Sequence, residues 1–159
     1  MEGTKGGSVE RVRTALSALG IDGAIKTFGQ STRTAAEAAE AIGCEVGQIA
    51  KSLIFRAKAS GRPVLVIARG DSRVNEKMIS QALGEKIGRA DPEFVRERTG
   101  FAIGGVAPIG HTGEVVTFID VALGDFEIVW AAAGAPNTVF ATTLGDLVRM
   151  TAGEMIEVS

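Results

Sequence analysis

Helices and short β-like runs follow one another irregularly along this chain, and their order constrains the fold more than any other sequence feature. The patterns predict about six or seven short strands. Two of them, 49–57 and 63–68, are rich in aliphatic residues and flank a turn at 59–62, so we expect them to pair as a hairpin. Helices that fail to alternate regularly with strands favour an α+β or mixed α/β fold over a doubly wound parallel sheet.

Capping residues mark the helix boundaries. Thr34, with Glu37 three residues later, is a predicted capping box, and Gly43 ends that helix. Ser8 is the candidate N-cap of a first helix over 8–19. The remaining predicted helices cover 75–83, 91–98 and 143–150.

The length of the chain predicts a single domain. Its 159 residues, 45% of them hydrophobic, are enough to bury a core. Residues 1–7 are polar and glycine-rich, so we expect a flexible tail there and one domain over 8–159. The start lacks a basic segment followed by an apolar run, and no apolar stretch reaches membrane-spanning length, so we expect a cytoplasmic protein.

The available residue types exclude several kinds of catalytic site. The chain has one cysteine, Cys44, and one histidine, His111. Without carboxylates at ligand spacing these two cannot form a usual zinc site, and we expect no metal and no cofactor. Hydrolase triads, Walker-type phosphate loops and Rossmann fingerprints are also missing from the sequence.

Residues 101–111, Phe-Ala-Ile-Gly-Gly-Val-Ala-Pro-Ile-Gly-His, predict a shaped loop that is neither ordinary helix nor ordinary strand. Pro108 fixes one backbone angle, while Gly104, Gly105 and Gly110 free several others. Such glycines let a ligand approach the bare backbone, where N–H groups can donate to a carbonyl or phosphate oxygen. The alternative is a tight turn between two strands, which local sequence alone favours.

Lys51 occupies an unusual position near the start of the first hairpin strand. Alternation places it on the strand face shared with Leu53 and Phe55. A lysine that shares a face with core residues is uncommon. It either extends its ammonium to solvent from the strand edge or holds a phosphate, and the pattern leaves both interpretations open.

Positive charge is concentrated in the middle of the chain. Residues 51–98 hold 11 of the 17 lysines and arginines against 6 acids, although the net charge is −2. Residues 99–159 hold 1 basic residue against 7 acids. A local basic face can bind an anionic partner even though the net charge of the whole chain is negative. The alternative is that these charges only solvate the surface.

Four motifs in this order resemble the YbaK family of aminoacyl-tRNA deacylases, which also occurs as the editing insertion of bacterial prolyl-tRNA synthetases. They are Ile-Ala-Lys-Ser-Leu-Ile-Phe at 49–55, Gly-x-x-x-Pro at 104–108, Asp120 after its strand, and Ala-Gly-Ala-Pro-Asn at 133–137. The resemblance implies a single domain with a curved, largely antiparallel sheet and peripheral helices. It also implies a trans-editing hydrolase that removes the wrong amino acid from a tRNA, typically tRNA-Pro.

The resemblance also implies roles for individual residues. Lys51 would contact the terminal nucleotide, and the Gly104 to Pro108 element, with Gly105, would hold the ester carbonyl through backbone groups. We expect a catalytic set of Lys51, Gly104, Gly105 and Pro108, with His111 shaping the pocket or orienting water. The expected substrate-binding residues are Phe55, Ile103, His111, Asp120, Gly134, Pro136 and Asn137.

Two classes of function follow from the same motifs. The first is deacylation of a mischarged tRNA, with the acceptor end of the tRNA and prolyl-tRNA synthetase as partners and neither membrane nor DNA involved. The second is a non-catalytic module of the same fold that binds tRNA or a synthetase. The presence of both Lys51 and the complete loop favours the first. The amino acid removed and the oligomeric state cannot be read from the sequence, because a single methylene changes discrimination by only about 1–3 kcal/mol.

Overall fold

The computed structural model describes residues 4–21 and 24–159. Within them, one eight-stranded sheet is surrounded by five α-helices. The helices are α1 Thr4–Ala18, α2 Ala35–Ile42, α3 Glu76–Leu83, α4 Pro92–Thr99 and α5 Leu144–Thr151. The strands are β1 Ile25–Thr27, β2 Ile49–Ala57, β3 Pro63–Arg69, β4 Ile87–Arg89, β5 Val116–Asp120, β6 Val129–Ala132, β7 Thr138–Thr142 and β8 Glu154–Ile156.

The sheet is mixed, with the strand order β1-β7-β6-β2-β3-β5-β8 and with β4 also paired to β2. Strand β2 runs antiparallel to β3 and to β4, and β7 runs antiparallel to β1 and β6. Strand β2 is parallel to β6, and β5 is parallel to both β3 and β8. The predicted mixed α/β fold is confirmed. Among the described residues, four strand pairs are antiparallel and three are parallel. The parallel pairs are possible because helices lie in the long connections, for example α3 and α4 between β3 and β5.

Strand β3 is the centre of the core. Val64 to Ala68 are all completely buried. Leu65 and Ile67 pack into one apolar cluster, whereas Val64, Val66 and Ala68 pack into another on the opposite face. A strand that is covered on both faces reads as a continuous aliphatic run, which is why the predicted hairpin was so clear in the sequence.

Capping chemistry places the helix ends as predicted. The Thr34 hydroxyl accepts from the backbone N–H of Glu37, and the Glu37 carboxylate completes the capping box. Gly43 then ends α2 in the left-handed region with φ of +85°. The side chains of Asn75, Asp91 and Thr143 cap α3, α4 and α5 in the same way.

The prediction for the first helix was wrong at its start. Helix α1 begins at Thr4, so Ser8 lies inside it, and the Ser8 hydroxyl donates to the carbonyl of Gly134 at 2.8 Å. The partner is 126 residues away in sequence, so no local pattern could predict this hydrogen bond. The hydroxyl therefore has a role other than capping. Of the predicted tail, residues 1–3 lie outside the described residues. No described helix is both long enough and apolar enough to cross a membrane.

Strand β2 has an opening along one edge that positions the candidate site. On that edge it pairs with β6 only through Ile49 and Ala50, and with β4 only through Phe55 to Ala57. Residues 51–54 therefore pair with β3 alone. The gap between β6 and β4 leaves this stretch of β2 open at the edge of the strand.

Candidate active site

A cavity of about 660 Å³ lies at this opening. The walls come from the open part of β2, from the segments around α3, β4 and α4, and from the loop at 101–111. The lining residues are Arg33, Ser52, Leu53, Ile54, Phe55, Glu76, Arg89, Ala90, Val95, Ile103, Gly104 and Val106. The wall is mostly apolar with a few polar groups, which is the usual composition of a small-molecule site.

The loop at 101–111 reaches the cavity through a tight turn. The Gly105 N–H donates to the carbonyl of Ala102 at 3.0 Å, and Gly104 in the turn has φ of +87°. That backbone angle strongly favours glycine. In the described part of the chain, the N–H groups of Gly104 and Val106 donate to no protein acceptor, and both residues line the cavity. These two backbone N–H groups beside the cavity are therefore candidate donors to a ligand.

The second glycine turn, 134–137, packs directly against this loop. A Cβ on Gly105 would lie 3.0 Å from the backbone carbonyl carbon of Ala135, so the two backbones touch. The Pro136 carbonyl accepts from the N–H and the hydroxyl of Thr32, and the Asn137 side-chain amide donates to the carbonyl of Phe28. The turn thus fixes the segment that precedes α2.

That segment brings Arg33 to the mouth of the cavity. The Arg33 stem crosses the loop so closely that a Cβ on Gly104 would lie 2.4 Å from its Cγ. Arg89 at the end of β4 lines the same cavity. Neither guanidinium has a carboxylate partner in the described part of the chain, and Glu76 is the one acid in the wall. The mouth therefore carries two arginines that are available to an anion.

Lys51 lies beside the cavity instead of in its wall. It faces the same side of β2 as Leu53 and Phe55, as the alternation predicted. Its ammonium donates to the carbonyls of Gly70 at 3.2 Å and Ser72 at 2.6 Å. Burial lowers the pKa of Lys51, and the nearby Asp71 carboxylate partly offsets that effect. The lysine holds the turn after β3, and one of its three N–H donors is left over.

The second half of the loop faces a different cavity. Pro108 and His111 line a space of about 180 Å³ near α5, away from the β2 opening. The His111 Nε2 lies 2.8 Å from the Ala107 carbonyl, and its ring meets Phe101 edge-on at 5.7 Å. Burial lowers the pKa of His111, and the charge of Arg11 acts in the same direction.

Asp120 is a structural carboxylate at the end of β5. It is 2% exposed. One of its oxygens accepts from the backbone N–H of Arg69 and the other from that of Ala122, each at 3.0 Å. These bonds tie the end of β3 to the short 3₁₀ helix Val121–Asp125. Both oxygens already have a backbone donor in the described chain, and Asp120 does not line the main cavity.

Comparison with known proteins decides the family. The model of the aminoacyl-tRNA editing domain matches residues 30–150, which is most of the chain. The chain belongs to the aminoacyl-tRNA editing domain family. The resemblance drawn from the sequence motifs is therefore confirmed.

The relatives of this editing domain include free-standing proteins and parts of synthetases. It is 34% identical over 140 residues to the uncharacterized protein YwhH of Bacillus subtilis, covering 88% of each chain. It is 38% identical over 109 residues to a proline–tRNA ligase of Bacillus licheniformis, covering 68% of the editing domain and 18% of the ligase. The chain thus spans less than a fifth of that ligase.

A solved structure gives the same fold. The crystal structure of a proposed trans-editing enzyme for prolyl tRNA synthetase superposes with a TM-score of 0.89 at 38% identity, covering 96% of each chain. The hypothetical protein APE2540 superposes with a TM-score of 0.86 at 28% identity. Both neighbours support the mixed sheet described above.

The predicted site residues of the editing domain occupy different places in the fold. The structure brings Phe55, Ile103 and Gly104 together in the main cavity, and Ile103 is 50% exposed at its rim. Gly105, Pro108 and His111 are in the loop but do not line this cavity. Gly134, Pro136 and Asn137 belong to the turn that packs against the loop. Lys51 and Asp120 also lie outside the cavity wall.

Sequence reasoning missed several residues in the wall. Arg33 and Arg89 lie in segments without any motif, and only the excess of basic residues at 51–98 pointed towards Arg89. Ser52 lies within the Lys51 motif, which predicts no role for it. Val106 lies inside the loop motif and lines the cavity. Only the three-dimensional approach of β2, β4 and the loop reveals these four as neighbours.

Proposed function

We propose that this editing domain is a deacylase that hydrolyses the ester of a mischarged tRNA, with tRNA-Pro as the expected tRNA. The observation that carries the proposal is the cavity at the β2 opening, whose wall includes two backbone N–H groups and two arginines that have no partner among the described residues. Family membership and the names of the relatives support the choice of substrate.

The cavity suits the 3′ end of an aminoacylated tRNA. Arg33 and Arg89 at the mouth would hold backbone phosphates through charge-assisted hydrogen bonds. The remaining N–H donor of Lys51 would reach the terminal nucleotide, since Lys51 lies two residues along the same strand face from Leu53, roughly 7 Å away. The terminal ribose and its ester would then enter the apolar interior beside Phe55.

Hydrolysis of the aminoacyl ester requires that the ester carbonyl be correctly positioned, and it does not require a protein nucleophile. Water attacks the ester carbonyl carbon, and the N–H groups of Gly104 and Val106 stabilise the negative charge that develops on its oxygen. The bond to the ribose oxygen then breaks, the ribose regains its hydroxyl proton, and the amino acid leaves as a carboxylate. The neighbouring ribose hydroxyl relays the proton, and binding in one orientation supplies the rest of the acceleration. Neither His111 nor Cys44 lines this cavity.

A panel of mischarged tRNAs tests the proposal. Each tRNA carries a radiolabelled amino acid, and release of the label is followed under single-turnover conditions. We expect faster release from at least one mischarged tRNA-Pro than from correctly charged tRNA-Pro. Binding without release from every member of the panel would favour the non-catalytic binding module and would contradict the deacylase.

A further inference from the structure

Ser52 carries a buried hydroxyl that has no protein partner among the described residues. In the described part of the chain only two side-chain polar atoms are both buried and without a hydrogen bond, the hydroxyls of Ser52 and Thr142. Ser52 lies in the middle of the β2 opening. Polar groups that are buried in proteins nearly always have partners, so an unpaired one in a cavity wall is available to hydrogen-bond a bound ligand.

The Ser52 side chain lies where the main cavity meets a smaller recess. The recess has a volume of about 50 Å³ and shares Arg33, Ser52, Gly104 and Val106 with the main cavity. Its other walls come from the segment before α2 and from α2, β6 and β7, and they include Thr32, Thr34, Ala38, Trp130, Ala132 and Val139. Since a cavity needs about 10–15 Å³ to hold one water molecule, the recess accommodates only a few non-hydrogen atoms.

The other hydroxyls of the recess are already engaged. Thr32 donates its hydroxyl proton to the Pro136 carbonyl, and the Thr34 oxygen accepts from the N–H of Glu37. Ser52 is therefore the hydroxyl of this wall that has no protein partner at all among the described residues. The loop donors at Gly104 and Val106 border the same junction, so a carbonyl held there would direct the attached amino acid side chain towards the recess.

We propose that the Ser52 hydroxyl hydrogen-bonds the side-chain hydroxyl of the amino acid that is removed, so that Ser52 sets a preference for a small, serine-like side chain. This inference rests on the proposed function for the identity of the ligand. The recess limits the side chain to a few atoms, and Ser52 distinguishes a hydroxymethyl group from a methyl group of nearly the same size.

The test uses two ligands that cannot be hydrolysed. In 3′-deoxy-3′-(L-seryl)aminoadenosine and its L-alanyl counterpart an amide replaces the ester, and the two differ by one hydroxyl oxygen. Binding of both is measured by calorimetry for the wild type, Ser52→Ala and Ser52→Cys. Thr142→Val is the matched control, because it removes the other unpaired buried hydroxyl from β7, outside both cavities.

We expect the wild type to bind the seryl ligand about 5–10-fold more tightly than the alanyl ligand, as one neutral hydrogen bond allows. Ser52→Ala should lose this preference, Ser52→Cys should weaken it, and Thr142→Val should keep it. Melting temperatures should not fall in Ser52→Ala, because the free protein loses no hydrogen bond there. A merely structural role would instead lower the melting temperature and weaken both ligands equally.

Other outcomes separate this inference from the proposed function. If the wild type binds the seryl ligand preferentially yet hydrolyses no mischarged tRNA, Ser52 keeps its role and the deacylase proposal is wrong. An unchanged preference in Ser52→Ala overturns the inference while leaving deacylation untouched. A wild type that binds neither ligand also overturns it.

Discussion

The two halves of the loop at 101–111 both contain glycine but face different surroundings. The half containing Gly104 turns tightly at the main cavity, under the Arg33 stem. The half containing Pro108 and His111 faces the smaller cavity near α5, and Arg11 of α1 donates to the carbonyls of Gly100 and Gly110 at the two ends of the loop. One half of the loop therefore borders the main cavity and the other half does not, so mutations in the two halves should have different effects.

The largest loss of activity is expected from Gly104→Ala. At φ of +87° an added Cβ is strained, and it would also collide with the Arg33 stem. The loop donors would move, and removal of one such donor typically costs about 10²–10³ in turnover. Single-turnover deacylation measures the effect.

Gly84→Ala is the matched control for this substitution. Gly84 ends α3 with φ of +91°, and a Cβ there would meet no atom within 4 Å. It introduces comparable backbone strain without touching the loop. Equal losses in the two variants would show that strain alone explains the Gly104 result.

Lys51→Met should have the next largest effect, and it should act on two measurable quantities. Loss of a charge-assisted contact to the nucleotide would slow deacylation by roughly 10–100-fold. The stability should also fall, by about 1 kcal/mol, because the carbonyls of Gly70 and Ser72 lose their donor. Lys77→Met on the exposed side of α3 is the control. A variant that is less stable but fully active would show that Lys51 stabilises the turn after β3 and has no role in deacylation.

These two substitutions also show what the sequence could and could not predict. The hairpin, the capping of α2 and the face of Lys51 follow from neighbours along the chain, and all three are confirmed. The carbonyls that Lys51 meets lie about 20 residues away, across the β2–β3 hairpin. Local alternation could place the lysine on its face but could not identify its partners.

The rest of the site depends on long-range packing, which local sequence patterns do not show. Arg33 reaches the loop because the turn at 134–137 holds the segment at 28–32, more than 100 residues away in sequence. Asp120 lies at the end of its strand as predicted, yet each oxygen of its carboxylate accepts a hydrogen bond from a backbone N–H. The opening in β2 depends on where β6 and β4 stop pairing with it, which no single segment encodes.

A moderate effect is expected from the double variant Arg33→Ala with Arg89→Ala. Both arginines line the mouth without a carboxylate partner in the described chain, so their removal should weaken tRNA binding. Losing two phosphate contacts should reduce the slope of log affinity against log salt by about 1.4. Binding is measured by filter retention at several salt concentrations. Arg13→Ala, which removes an exposed arginine paired with Glu10 on α1, should leave the slope unchanged.

The smallest effect on activity is expected from His111→Gln, in the supporting half of the loop. His111 lines the smaller cavity, so turnover at neutral pH should fall by less than the Gly104→Ala loss. The clearer consequence concerns stability. Burial lowers the pKa of His111 below its ordinary value of 6.5 in the folded protein, so the unfolded chain takes up the proton more readily.

The contribution of His111 to the free energy of unfolding is therefore complete above about pH 6.5 and is lost as the pH falls through that value towards the lowered folded pKa. Urea unfolding between pH 5 and 8 should show this slope in the wild type and a flatter one in His111→Gln. A general base would behave differently. It would make turnover follow an imidazole titration and would make His111→Gln more damaging than Gly104→Ala. That order of losses would transfer the catalytic role from the Gly104 half of the loop to the His111 half.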